Sequence, residues 1–157
     1  MRRLLLFFLL CIACSLPAFA DEGHHHDLTA QELGSVHFPV SCAKAVQKDF
    51  DRSVALLHSF QHEQAREAFQ SVAQKDPQCA MAHWGVAMSY YHGLWENTDY
   101  GAGRKAMAEA DSVVARSKRI TPRERQYLAA LDEIYKQDGG DAAAHNHAFE
   151  QKMAALH

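Results

Sequence analysis

Cys79, Met81, His83, Met88 and His92 fall within the stretch DPQCAMAHWGVAMSYYHGLW, positions 76–95, interleaved with Trp84, Tyr90, Tyr91 and Trp95. Sulfur and imidazole together are the donors that a soft or borderline metal ion takes. On a helix beginning at Pro77, however, Trp84, Met88, Tyr91 and Trp95 share one packing stripe, and His92 lies about 13 residues, or roughly 20 Å, beyond Cys79. Such donors do not converge on one ion, so the stretch is expected to be helix core and not a cofactor site.

The remaining histidines carry the sharper metal hypothesis. His24, His25 and His26, with His37 further on, offer neutral imidazoles of the kind that bind Zn²⁺ or Cu²⁺. An adjacent triplet on irregular chain holds no preformed geometry, so a solvated polar lead-in is the competing reading. His58 and His62 have the i, i+4 spacing of helical zinc sites, but a turn is expected between them. In His62-Glu63 the position that carries the second His of a metalloprotease helix holds Arg66. His145 and His147, two apart, face different sides of a helix. The sequence shows no phosphate loop, nucleophile elbow or dinucleotide fingerprint, and Glu63/Glu67 and Asp49/Arg52 read as solvated helix faces. Neither catalysis nor a cofactor is expected.

The chain's address comes from its first residues. MRRLLLFFLLCIACSLPAFA joins Arg2 and Arg3, an apolar run and a small-residue Ala18-Phe19-Ala20 end, the pattern of a cleaved secretory signal over 1–20. The run, about thirteen apolar residues, is short for a membrane span. Ser15 follows Cys11-Ile12-Ala13-Cys14 where haem attachment needs His. Lipidation at Cys14 is disfavoured by Cys11, which stands where a branched aliphatic residue is usual. Loss of the two Arg leaves 14 basic against 19 acidic residues, net −5, which disfavours nucleic acid and anionic membrane as partners. Cys42 and Cys79 remain, an even pair that in an oxidising compartment suggests one disulfide.

Residues 21–40 show little periodicity and are expected to form an irregular lead-in, with Val36-His37-Phe38-Pro39-Val40 extended because the residue before a proline avoids the helical region. From Ser41 the pattern is helical. Val46, Phe50, Val54 and Leu57 make one stripe, and Ala65, Phe69 and Val72 the next, with a break near 59–64. Asp76 reads as the N-cap of a third helix with Pro77 at its first position, and Gly93 as its end. A fourth helix spans about 102–117. The fifth opens on a capping box, Thr121 with Pro122 and Glu124. DGGD at 138–141 breaks it from a sixth marked by Phe149, Met153 and Leu156.

First members of helix pairs thus start near Ser41, Asp76 and Thr121, spacings of 35 and 45, close to the 34-residue tetratricopeptide (TPR) unit and to that unit plus a loop insertion. The expected fold is all-α, antiparallel helical hairpins stacked as a short TPR-like solenoid, with units at about 41–75, 76–118 and 121–157. Small residues Ser53 and Ala87 fall at helix crossings, and Asp49 stands where the repeat usually has Trp.

The run at 33–95, carrying FPVSC, ALLHSF and DPQCAMAHWG, resembles the N-terminal part of exported bacterial TPR proteins. The resemblance implies an N-terminal portion of a longer array, since the chain stops in mid-helix at His157. In such an array first helices lie side by side in one direction, which brings together their starts and hence Cys42 and Cys79. Two buried free thiols, or a thiol made reactive by a helix N-terminus, are the alternatives.

The functional expectation is a periplasmic or secreted scaffold that presents a concave groove to a protein or peptide. Lys48, Arg52, His83 and Tyr90 are its candidate lining, and the loop from Trp95 to Tyr100 a second contact. The alternative is a periplasmic metal-binding protein using His24, His25 and His26.

Overall fold

The computed structural model describes residues 28–95, 97–136 and 141–156. The expected signal segment, Cys14 and the His24–His26 cluster lie outside them. Among the described residues all regular structure is helical, as expected: α1 (Ala30–Leu33), α2 (Gln47–His58), α3 (His62–Lys75), α4 (Ala80–Met88), α5 (Tyr100–Arg116), α6 (Pro122–Tyr135) and α7 (Ala142–Ala154), with 3-10 turns at Lys44–Val46 and Gly93–Trp95. No helix among them is long and apolar enough to cross a membrane.

The helices pack in chain order. The most extensive contacts join α2 to α3, α4 to α5 and α6 to α7, and α3 also lies on α4 and α5 on α6. The first members touch one another as well, α2 with α4 and α4 with α6. The apolar stripes set this arrangement: Val46, Phe50 and Val54 on one side and Ala65, Phe69 and Val72 on the other are all buried, and the Phe50 and Phe69 rings meet edge to face at 5.4 Å. Burying a ring of this size is worth roughly 2–3 kcal/mol.

Close approach is obtained with glycine. A Cβ on Gly85 would sit 2.3 Å from the Phe69 ring, and one on Gly103 only 2.0 Å from the ring of Tyr135. Tyr135 cannot yield, because its hydroxyl donates to the Ala87 carbonyl at 2.7 Å. Gly103→Ala gains about 1 kcal/mol of helix propensity and loses more to overpacking, about 1–3 kcal/mol and upward. The expected net result is a destabilised protein, read as a lower urea midpoint at unchanged m-value.

Several boundaries differ from the sequence reading. Asp76 does not cap α4, which starts at Ala80 with Cys79 in the N-cap position. Its carboxylate is drawn instead to the Ala43 and Gln78 amides and to Arg119, at 2.7, 3.1 and 2.9 Å. The first hairpin also starts later than Ser41, with a 3-10 turn at Lys44–Val46 running into α2. Likewise α4 does not continue to Gly93. It ends at Met88, where the Ser89 hydroxyl donates to Gly85 O at 2.8 Å and the Tyr135 hydroxyl occupies the Ala87 carbonyl. Tyr91 and Trp95 therefore leave the stripe that a continuous helix would have given them.

The lead-in is more ordered than its composition suggests. Thr29 and Glu32 close a capping box on α1, the same spacing as Thr121 and Glu124 at α6. Val36, Phe38 and Val40 then pack on the core while His37 and Pro39 face solvent, the period-two alternation of extended chain.

Candidate functional site

Two places gather chemically distinctive side chains. The first is the face made by the first helices α2, α4 and α6, where the sequence reading puts a partner groove. The chain's own lead-in occupies it. The Phe38 ring lies 5.8 Å from Phe50, 5.9 Å from Trp84 and 5.1 Å from Tyr127, with the Arg123 guanidinium 4.8 Å above it. Side chains take up its backbone. Gln47 donates to Phe38 O at 2.9 Å and accepts from Val40 N–H at 3.2 Å, and Asp51 accepts from Phe38 N–H at 3.0 Å. Glu124, buried at the start of α6, accepts from Ser41 N–H at 2.6 Å. Polar backbone that would be costly to bury unpaired is thereby satisfied without a sheet.

Just beyond, a disulfide joins Cys42 to Cys79 with the Cα atoms 4.8 Å apart. It ties the start of the first hairpin to the start of the second, which disposes of both cysteines as free nucleophiles or metal ligands.

The second place is the cleft between the α2–α3 turn and the turn after α4. It is an open hollow of about 400 Å³ lined by Phe60, Gln61, His62, Glu63, Gln64, Arg66 and His92. At its rim the helix end of α2 has an unusual residue. The Phe60 amide donates to Leu57 O at 3.2 Å and the Gln61 amide to Leu56 O at 3.0 Å, the paired bonds of a Schellman motif. The residue at its left-handed position is normally glycine; here it is Phe60, with φ 60°. An L-residue held there costs roughly 1–2 kcal/mol. Its ring is not buried in return: Phe60 is 59% exposed and packs edge-on at 5.4 Å against Trp95, itself 56% exposed. Leu94, 78% exposed, directly precedes Trp95 in the chain.

Beside this patch His62 and His92 approach with ring centroids 4.4 Å apart. His92 Nε2 lies 3.0 Å from the Ser89 carbonyl. A carbonyl only accepts, so Nε2 carries a proton, and in the neutral ring Nδ1 is then the nitrogen with the lone pair. Both ring nitrogens of His62 are buried without a hydrogen-bond partner. Burial, and then the neighbouring His92, holds the His62 pKa below the usual imidazole range. Arg66 is engaged by Glu63 at 3.4 Å and by the Tyr90 ring at 5.1 Å.

The structure does not assemble the five predicted contact residues into one surface. Lys48 is exposed on α2, and Arg52 donates to Leu28 O at 3.2 Å, beside the lead-in. His83 has Glu109 and Arg116 of α5 as its charged neighbours, and burial, the largest influence, lowers its pKa. Tyr90 and Trp95 each touch a residue that lines the cleft, Tyr90 beneath Arg66 and Trp95 against Phe60 and His62. The pairing of His62 with His92, thirty positions apart, carries no signal in the sequence, and Phe60 was visible only as part of a turn. Nor does the inventory of 76–95 converge: Cys79 is in the disulfide, Met81 is buried, His83 turns toward α5 and His92 toward α3. Comparison with protein-family models, with curated proteins and with solved structures finds no match to this chain.

Proposed function

We propose that the protein is an exported helical-repeat scaffold of the tetratricopeptide type that docks a protein partner through the exposed apolar patch of Phe60, Leu94 and Trp95. The order of helix contacts supports the repeat reading, since each hairpin packs on the next and first helices neighbour first helices. The disulfide, and the signal-like first twenty residues, support an oxidising compartment.

One observation carries the docking surface: Phe60 occupies a backbone position that favours glycine and presents an exposed ring, not a buried one. Strain kept without a packing return points to a use outside the fold. Exposed aromatics in contact are the side chains from which interface hot spots are built. The groove reading is thereby revised, since residues 36–40 already fill the first-helix face.

Phe60→Gly separates fold from function. Glycine relieves the left-handed strain while deleting the ring, so thermal stability is expected to be unchanged or slightly raised. Capture of a partner from periplasmic extract, identified by mass spectrometry and compared with the unaltered chain, is expected to be lost in Phe60→Gly and in Trp95→Ala. Equal recovery of the same partner by both variants would remove the patch from the interface.

A further inference from the structure

We propose that His62 and His92 together bind one divalent ion of the imidazole-preferring class, Zn²⁺ or Cu²⁺, in the open cleft beside Trp95. This site is distinct from the His24–His26 cluster and does not depend on the docking role of the apolar patch.

Four features of the cleft support it. His62 has two ring nitrogens out of solvent and unpaired, an unfavourable situation for a buried polar group that a bound ion relieves at one of them. His92 is preset as a ligand: its Nε2–H is held by the Ser89 carbonyl, a bond that fixes the neutral ring's tautomer and leaves Nδ1 for the metal. The spacing fits a shared ion. Metal–nitrogen bonds of about 2.0–2.1 Å put two coordinating imidazole centres about 4.5–5.2 Å apart for angles of about 90–110° at the ion, close to the 4.4 Å found. Finally, the hollow of about 400 Å³ admits an ion and its waters.

The charge environment is tolerable. Arg66 lines the same cleft, but Glu63 pairs with it and its guanidinium lies over Tyr90. Among the described residues no set of three or more His, Cys, Asp or Glu converges as a cage. The protein thus supplies two ligands, and water fills the remaining positions, which makes this an open site and not a structural one.

The test uses the whole chain in three forms: unaltered, His24/His25/His26→Ala, and that triple variant with His62→Gln and His92→Gln added. Zn²⁺ and Cu²⁺ are titrated by calorimetry. The triple variant is expected to retain one ion per chain, and the added substitutions to weaken that binding at least tenfold. In parallel, ring resonances of the triple variant are followed by NMR during Zn²⁺ addition, a readout that needs no further substitution. Shifts confined to His62 and His92 support the site. Absence of binding in the triple variant, undiminished binding without His62 and His92, or shifts only at His37, His58, His83, His145 or His147 would overturn it.

Discussion

Replacing Cys42 and Cys79 with alanine is expected to lower the unfolding free energy by about 3–4 kcal/mol, the loop-entropy value for a closed segment of this length. The bond spans 37 positions and links the first two hairpins, so its loss acts mainly by freeing the unfolded chain. The effect is measured by urea denaturation of oxidised, reduced and Cys→Ala protein at pH 7. The reduced form and the double variant are expected to coincide within about 1 kcal/mol, since Cys79 is buried and alanine differs from a thiol by one small group. A midpoint that does not move on reduction would mean that packing of α2, α3 and α4 alone holds the two starts together. Partial loss is expected to show first in the lead-in, whose backbone bonds to Gln47 and Asp51 lie just ahead of Cys42.

The second large effect is at Asp76. Its carboxylate is almost fully buried and connects three parts of the chain: Ala43 before α2, Gln78 before α4, and Arg119 between α5 and α6. Asp76→Ala leaves the Ala43 and Gln78 amides without acceptors and Arg119 without its partner. A loss of about 2–4 kcal/mol follows from one or two buried groups left unpaired. Burial by itself would raise the Asp76 pKa, but the Ala43 amide, Arg119 and the Gln78 amide together hold it below the ordinary carboxylate value. The unfolded chain therefore binds this proton more readily than the folded one. The associated stability is fully present above the unfolded value, about 3.9, and is lost as pH falls through the lower folded value. Denaturation of the unaltered protein and of Asp76→Asn is expected to differ most at pH 5–7 and to converge toward pH 2. A difference that stays constant across that range would assign the effect to shape and not to charge.

These two sites show where a sequence reading succeeds and where it stops. The capping box at Thr121 and Glu124 was legible because both partners lie within one turn and satisfy amides of the same helix end. What was not legible is that Glu124 spends its other oxygen on Ser41, 83 positions away. Asp76 followed by Pro77 has the local signature of a helix start, but long-range donors with better geometry captured the carboxylate. The extended strip 36–40 was read correctly from Pro39. Its destination was not, because a groove between first helices exists only after three hairpins have stacked.

By itself the sequence determined the helical character of the chain beyond the lead-in and most of its apolar stripes, because 3.6-residue periodicity and end-capping are interactions among residues a few positions apart. It also narrowed the cysteine pairing, through the spacing of helix starts. Only the tertiary structure decided that Phe38 plugs the first-helix face, that Gly85 and Gly103 mark the closest approaches, and that His62 meets His92 beside an exposed Phe60–Trp95 pair. Those contacts join residues on different helices. They depend on how far one helix slides and turns against another, which is settled by the packing of the whole core and leaves no periodic trace in the chain.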